Sequence, residues 1–302
     1  MTPPALSLVV LAHDMARALP RTLRSLAPDY QATAPVPPAE IGGWEIIVVD
    51  NGSACPVQAA EVAPPDVALR VIRRGPEAAA AVAEALNQGL QNATGEFVGV
   101  WIDGARLASP GLLGACARAL RLHPRAVVAT RNYHLGPALQ HAAAMSGFDA
   151  AAEDRLLNSI DWPRGAARLA EIATPEQPDP TGPLLESNAL FMRRAQWQAL
   201  GGFDPRFGGA GGGAVNIDML LRACAAPGSQ LIRILGEGTF HQLHGGVTTG
   251  AGPRRAAALL KLGSKQYFRL RGRPMRALRQ RGWLYDAALG ALRPDSPERA
   301  HG

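Results

Sequence analysis

Three short polar segments contain residue types that can bind a nucleotide and a metal ion. They are residues 12–14, 50–53 and 103–106, and each follows a run of apolar residues typical of a buried strand. An aspartate at one strand end can accept hydrogen bonds from a base or a ribose, and an aspartate at another can hold a divalent cation beside a diphosphate. Aspartate also begins ordinary turns. Three such segments at successive strand ends favour a ligand site.

A second candidate is a pair of histidines near the end of the chain. His241 and His244 are three residues apart, precede two glycines, and have Glu237 nearby. Imidazole nitrogens at this spacing can bind a metal ion or a phosphate. Two such histidines taken alone more often have a structural role. Whether they bind a ligand depends on which other residues the fold places beside them.

The apolar patterns predict the elements that must position these residues. Strands and helices alternate in the first half and again after an irregular middle section at residues 132–183. The predicted strands cover residues 7–12, 45–49, 67–72, 97–102, 126–129, 187–193 and 231–235, and the predicted helices cover residues 15–26, 77–91, 110–122, 194–200 and 215–226. This alternation indicates an α/β fold with right-handed crossovers and a mostly parallel sheet, whose ligands bind at the carboxyl ends of the strands.

The order and spacing of several motifs resemble family 2 glycosyltransferases, which have the GT-A fold. The matching segments are residues 6–13, 19–26, 44–53, 85–90, 93–103, 201–204 and 218–222. The resemblance covers roughly residues 5–130 and 186–249. It implies a Rossmann-like central sheet flanked by helices, with a donor-binding half at about residues 1–130 and an acceptor-side half at about residues 131–250. It also implies sugar transfer from a nucleotide-diphosphate donor to a hydroxyl acceptor, with inversion.

The resemblance also implies roles for residues of the N-terminal half. Asp50 would contact the donor nucleoside, with Ala12 and His13 beside it. Asp103 would be the first carboxylate of the family's Asp-x-Asp motif, near the metal ion and the diphosphate. Arg106 would supply a further positive charge to the diphosphate.

The late histidines and the cofactor follow from the same resemblance. His241 or His244 would match the metal- or phosphate-contacting histidine of some family members. The expected cofactor is a divalent cation, Mg²⁺ or Mn²⁺, which would neutralise the charge of the leaving nucleotide.

The sequence departs from the family pattern at two places. Ala105 stands where the second aspartate of Asp-x-Asp is expected. The family's Glu-Asp pair, which supplies the catalytic base, falls at residues 215–216, and Asn216 cannot act as a base. Asp218 and Glu186 are therefore the candidate bases, and either must lie within about 3 Å of the acceptor proton or act through one water.

Two alternatives to a glycosyltransferase stay open. The chain could be a silent GT-A domain that binds a nucleotide sugar or a protein partner without transfer. It could also be a nucleotidyltransferase, although residues 13–17 lack the glycine-rich basic loop of that class. As a glycosyltransferase, it would act on a glycan, a glycolipid or a related acceptor, as in bacterial cell-envelope polysaccharide biosynthesis.

The positive charge of the chain is concentrated near its C-terminus. Ten of the 31 Lys and Arg residues lie between Arg254 and Arg281, a stretch without Asp or Glu, and the remaining residues are mildly acidic. Residues 251–302 are predicted to form a basic tail of two amphipathic helices, broken near residues 271–274. These helices could pack on the acidic body, which is slightly favoured, or contact an anionic membrane through residues 254–284. Binding of nucleic acid has little support.

Other features indicate where the protein resides. No run of 18 apolar residues exists, and the first strand does not resemble a signal peptide. The three cysteines are far apart and odd in number, which favours a reducing compartment. We therefore expect a cytoplasmic protein, with the membrane contact placing it at the inner face of the membrane.

Overall fold

The computed structural model describes residues 4–34, 41–78, 81–209, 212–244 and 253–294. These residues form one eleven-stranded sheet with helices on both faces. The strands are β1 (Leu6–Ala12), β2 (Trp44–Asn51), β3 (Ala68–Arg74), β4 (Phe97–Trp101), β5 (Arg106–Ala108), β6 (Ala126–Leu135), β7 (Ala173–Pro175), β8 (Ala189–Arg193), β9 (Gln230–His241), β10 (Trp283–Asp286) and β11 (Ala291–Leu292). The α-helices are α1 (Leu19–Ser25), α2 (Pro28–Gln31), α3 (Ala59–Val62), α4 (Val82–Asn92), α5 (Leu112–Arg121), α6 (Gln140–Met145), α7 (Ala150–Ser159), α8 (Arg194–Ala199), α9 (Val215–Ala225) and α10 (Pro253–Arg271).

The strand order is β11-β10-β9-β6-β8-β4-β1-β2-β3, with β5 paired to β9 and β7 paired to β6. Five of the eight pairings along this order are parallel, and β8 runs antiparallel between β6 and β4. The predicted α/β architecture with a mostly parallel central sheet is therefore confirmed.

The apolar runs of the central strands are explained by burial on both faces of the sheet. Side chains alternate between the faces of a strand. In β1, Leu8 and Val10 belong to a core that includes residues of α1 and α5, whereas Val9 and Leu11 belong to a second core with residues of α4 and α9. Because all seven residues of β1 are buried, its sequence has no polar alternation.

The polar segments after β1, β2 and β4 lie at one edge of the sheet. β1 pairs in parallel with β2 on one side and with β4 on the other, and Ala12 lies opposite Asp50. Asp103 follows the end of β4 by two residues. Since neighbouring strands are about 4.8 Å apart, the ends of β2 and β4 are separated by roughly 10 Å. The nearness of these segments follows directly from the parallel order.

Strands β6 and β9 are longer than the apolar patterns predict. Their extensions contain polar and glycine residues, and they pair with each other through Arg131–Gly238 and His134–His241 after a register shift in β6. Short strands β5 and β7 cover their outer edges. The pairing of two polar segments that are distant in the sequence leaves no local signal. The strands predicted from the apolar pattern are therefore too short.

The C-terminal segment differs from the predicted pair of helices. The first predicted helix corresponds to α10. The prediction of the second helix is wrong, because Trp283–Asp286 forms β10, parallel to β9 in the main sheet. Trp283, Leu284 and Tyr285 are buried, and such aromatic and apolar residues suit a strand at the side of a core. In the part of the chain that the structure describes, no helix combines the length and the apolar character needed to cross a bilayer.

Candidate active site

Asp103 is held by the loop that follows β4. Its Oδ1 accepts a hydrogen bond from the Ala105 amide (3.0 Å) and its Oδ2 accepts one from Arg106 Nε (2.7 Å). Burial opposes ionisation, but the Arg106 guanidinium holds the pKa of Asp103 well below its usual range. Asp103 is thus a carboxylate at neutral pH, and the backbone at Ala105 orients it without a second aspartate.

Both late histidines lie beside Asp103. The antiparallel pairing of β5 with β9 sets Arg106 opposite His241, whose Nε2 is 3.9 Å from Asp103 Oδ2. His244 Nε2 is 3.0 Å from His241 Nε2. One potential ligand atom from each of Asp103, His241 and His244 lies within 4.8 Å of the others. The structure therefore brings together the three residues that were predicted to hold a metal ion.

The chemistry of this group fits a divalent cation. Burial lowers the pKa of His241 and of His244, so both imidazoles are neutral, which is the form that binds metals. Nδ1 of His241 is buried without a hydrogen-bond partner among the described residues. Two imidazole nitrogens and one carboxylate oxygen suit Mn²⁺ better than Mg²⁺, which prefers oxygen ligands alone.

An ion pair between Arg17 and buried Glu153 holds the segment that bears His244. Glu153, on α7, accepts a hydrogen bond from the Leu243 amide, and Arg17 donates to the Leu243 carbonyl (3.4 Å) and to Glu153 (2.8 Å). Glu153 is fully buried. The sequence analysis did not single out Arg17 and Glu153, because residues 136 positions apart give no local signal of their contact.

Arg106 extends the site from Asp103 toward polar side chains of β6, β9 and the residue before β8. Its side chain is almost buried. With the Asn188 amide oxygen turned toward it, both terminal nitrogens of Arg106 donate to Asn188 at 3.3 Å, and Asn132 donates to the same oxygen at 2.8 Å. Asn132 in turn accepts a hydrogen bond from Thr239 (3.2 Å). A polar network of side chains from β5, β6 and β9 and the residue before β8 therefore fixes the Arg106 guanidinium.

Glu186 lies at the other side of this network. Asn216 Nδ2 donates to Glu186 Oε2 (2.7 Å) from the first turn of α9. Burial and the neighbouring Glu176 carboxyl raise the pKa of Glu186 to about 7, and the charge of Arg106 partly opposes this rise. Glu186 also lines a cavity of about 280 Å³. A carboxyl group in this environment is suited to accept a proton near neutral pH.

Asp218, the other candidate base, is occupied by ion pairs. It is fully buried and accepts hydrogen bonds from Arg222 Nε (2.8 Å) and from Arg271 Nε (2.6 Å) and Nη2 (2.8 Å). Arg271 also pairs with Asp204 (2.7 Å). An acceptor hydroxyl could reach Asp218 only by breaking these contacts, so the geometry favours Glu186 as the base and links Asp218 to the packing of α10.

We expect Asp218→Asn to lower the free energy of unfolding by roughly 3 kcal/mol, near the lower end for a broken buried ion pair because both arginines stay partly exposed. Urea denaturation checks this value. Asp161→Asn removes an exposed pair with Arg164 and is the matched control, with a far smaller expected change. Loss of catalytic turnover in folded Asp218→Asn protein would instead point to a catalytic role.

Asp50 shapes the loop after β2. Its buried carboxylate accepts hydrogen bonds from the amides of Ser53 (3.1 Å) and Val57 (2.9 Å) and from the Arg73 guanidinium. Although burial opposes ionisation, these hydrogen bonds lower the pKa of Asp50. Gly52 has φ +79° and faces the Gly75 carbonyl too closely for a Cβ atom. The Asp50 carboxylate therefore stabilises the turn, and its contact with a nucleoside stays a prediction.

The loop after β1 is bonded to the loop after β2. His13 Nδ1 lies 3.1 Å from the Asn51 carbonyl oxygen, and the Asp14 amide donates to Ser53 Oγ (2.9 Å). Ala12 is buried at the end of β1, whereas His13 remains 43% exposed. The two predicted donor-side segments therefore form one surface at the sheet edge.

Comparison with known proteins identifies related sequences and folds. Residues 7–172, more than half of the chain, match the sequence profile of Glycosyl transferase family 2. No curated protein matches the chain.

Several solved structures are similar. One is GalNAc-T7 with UDP, GalNAc and Mn²⁺, with 12% identity, a TM-score of 0.50, and coverage of 80% of this chain and 44% of that one. Another is Staphylococcus aureus TarS 1–349 in complex with UDP-GlcNAc, with 13% identity, a TM-score of 0.49, and coverage of 87% and 66%. A third is the mannosyltransferase PcManGT from Pyrobaculum calidifontis with GDP-Man and Mn²⁺, with 18% identity, a TM-score of 0.45, and coverage of 90% and 71%. The chain covers just under two thirds of the length of the TarS 1–349 chains that it matches.

Proposed function

This chain belongs to glycosyl transferase family 2 and has its GT-A fold, and from that membership we propose that it transfers a sugar from a nucleotide-diphosphate donor to a hydroxyl acceptor, with inversion. The observation that carries the proposal is the position of Arg106. Its guanidinium donates hydrogen bonds to Asp103 and to Asn188, which lies two residues after Glu186, and its charge lowers the pKa of Glu186. A candidate diphosphate site and a candidate base thus lie on two sides of one cation.

The donor would lie along the edge formed by the loops after β1, β2 and β4. Asp50, Ala12 and His13 would be near the nucleoside. Asp103, His241 and His244 would hold the cation, for which Mn²⁺ is the better match. When bound, such a cation neutralises charge that develops on the departing diphosphate.

Arg106 would share in this stabilisation. Its charge is fixed in the network before the reaction begins, so no reorganisation is needed when the sugar–phosphate bond breaks. The orientation of the guanidinium comes from Asp103 and Asn188.

Glu186 would serve as the general base. It would take the proton of the acceptor hydroxyl as that oxygen attacks the anomeric carbon, while the bond from that carbon to the diphosphate oxygen breaks on the opposite face. Asn216, which occupies the position of the family's usual base, would hold Glu186 Oε2 by its amide (2.7 Å), while the Glu176 carboxyl also hydrogen-bonds to Glu186. The acceptor would be a glycan, a glycolipid or a related hydroxyl compound.

The test is a donor panel that includes UDP-GlcNAc and GDP-mannose, with Mn²⁺, Mg²⁺ or EDTA. We expect slow release of UDP or GDP from at least one donor, faster with Mn²⁺ than with Mg²⁺ and suppressed by EDTA. Nucleotide binding without release from any donor would favour the silent binding domain instead.

The membrane contact predicted for residues 254–284 is supported by the surface of α10. Its inner side is anchored by buried Tyr267 and by the ion pairs of Arg271. Its outward side chains are apolar or basic: Leu260, Leu262, Phe268, Lys261, Lys265 and Arg269. The three basic residues are spaced four apart and share one helix face. We propose that this face binds an anionic bilayer, with Leu262 and Phe268, which flank the basic residues on the helix, entering the headgroup region.

We expect the triple variant Lys261→Gln, Lys265→Gln and Arg269→Gln to bind anionic vesicles roughly 100-fold more weakly, at about 1 kcal/mol for each basic group. Sedimentation with vesicles of phosphatidylserine and phosphatidylcholine measures the effect. The matched control replaces three exposed arginines elsewhere on the protein: Arg70→Gln, Arg164→Gln and Arg168→Gln. It has the same net charge as the triple variant and should still bind the vesicles. Equal sedimentation of the two variants would contradict the membrane contact.

A further inference from the structure

The cavity that Glu186 lines has two arginines on its wall. Arg131, on β6, and Arg233, on β9, both border this space of about 280 Å³. The volume is slightly below the range of pockets for drug-sized ligands, so it suits a group about the size of one sugar residue. The proposed base and two cations therefore line the same ligand-sized space.

Neither guanidinium has a carboxylate within 4 Å among the described residues. Arg233 is 5% exposed, and its Nη1 donates to the Gly182 carbonyl oxygen (2.6 Å). Arg131 donates through Nη2 to the carbonyls of Gln177 (3.0 Å) and Pro178 (3.1 Å), and its Nε is buried without a partner. Carbonyl groups satisfy donors without neutralising the positive charge.

Burial without a counter-ion is costly for such cations. Burial lowers the pKa of Arg233; the charge of Asp179 opposes this shift, and the charges of Arg131 and Arg281 add to it. Buried charges in proteins are normally paired. Phosphate and carboxylate groups are the usual partners of arginine, because the planar guanidinium donates to two of their oxygens together.

We propose that this cavity binds an anionic group of the acceptor, a phosphate or a carboxylate, against Arg131 and Arg233, while the accepting hydroxyl faces Glu186. This proposal rests on the proposed function and gives it a substrate class, an acidic sugar or sugar phosphate. The acceptor is thereby selected by its charge as well as by its shape.

Calorimetric titration of the full chain tests this assignment with three probes: glucose 6-phosphate, glucuronate and glucose. We expect at least one anionic probe to bind about tenfold or more tightly than neutral glucose. Arg131→Gln should weaken that binding by about 10- to 100-fold, the loss expected for hydrogen bonds to a charged group. Arg233→Gln should do the same where it folds. Arg125→Gln, an exposed residue outside the cavity lining, is the matched control.

The probes distinguish the source of the anion. Binding of glucose 6-phosphate alone identifies a phosphate site, binding of glucuronate alone identifies a carboxylate site, and binding of both supports a site for either group. Failure of both anions to bind, equal binding of glucose, or unchanged binding to folded Arg131→Gln protein overturns the proposal. Nucleotide release from the donor panel, measured on the same preparations, shows separately whether the proposed function has failed.

Discussion

Replacement of Glu186 by glutamine is expected to slow nucleotide release from the donor by about 10²- to 10⁴-fold, the usual contribution of a general base. Glutamine has nearly the same shape and can keep the contact with Asn216, but it cannot accept a proton. The rate of nucleoside diphosphate release, measured at saturating donor, gives the effect. Donor affinity should change little, because Glu186 lies on the acceptor side of Arg106.

The pH profile provides a stricter test of the same residue. A base works only when it is ionised, and the pKa of Glu186 is raised to about 7. Activity of the unmodified protein should therefore increase as the pH rises through about 7. The charged groups that act on Glu186 are Glu176, which raises its pKa, and Arg106, which lowers it. In Glu176→Gln protein the repulsion is absent, so the increase should occur at lower pH.

The matched control is Glu61→Gln, on the exposed surface of α3. Its rate and pH profile should equal those of the unmodified protein. A Glu186→Gln rate within twofold of the unmodified protein would exclude Glu186 as the base. An unchanged pH profile in Glu176→Gln protein would show that another group titrates.

Asp103→Asn is expected to reduce cation-dependent nucleotide release by about 10²- to 10³-fold, comparable to the loss of a group that stabilises charge in the transition state. The substitution removes the only carboxylate of the three-residue group and leaves Arg106 without its ion-pair partner. Titration with Mn²⁺, followed by electron paramagnetic resonance, should show weaker binding of the ion.

Variants of the two histidines separate metal binding from the support of Arg106. His241→Ala and His244→Ala should each weaken Mn²⁺ binding while Asp103 keeps its hydrogen bond to Arg106. His123→Ala is the matched control, because His123 packs against Trp283 outside the metal-binding group. Full cation-dependent activity in Asp103→Asn protein, or equal Mn²⁺ affinity in all three histidine variants, would contradict the metal site.

Local sequence patterns are sufficient for the donor-side edge of the fold. Runs such as Leu6–Ala12 are apolar because they are buried on both faces, and the polar residues that end them mark the turns. The parallel order of β1, β2 and β4 then brings Asp50 and Asp103 to one edge. For these segments, burial on both faces of the sheet explains both the apolar runs and the polar residues where the strands end. The predicted edge of the sheet was therefore correct.

The candidate catalytic centre depends on contacts between distant segments. His241 reaches Asp103 only because β9 continues past its apolar part and pairs with β5. Glu186 and Asp218 look equivalent as acidic residues, yet one faces a cavity beside Arg106 and the other is enclosed by Arg222 and Arg271. The charges that select between them come from residues up to 80 positions away.

The sequence by itself indicated the family through the order and spacing of its motifs. It also indicated the α/β architecture and the strand ends that carry Asp50 and Asp103, because periodic burial leaves a local trace in the residue types. The different surroundings of the two candidate bases, the grouping of both histidines with Asp103 and the insertion of Trp283–Asp286 into the sheet were set by folding. Pairing across long separations and the electrostatic surroundings of a carboxyl group leave no such trace, since they depend on which side chains the fold brings into contact.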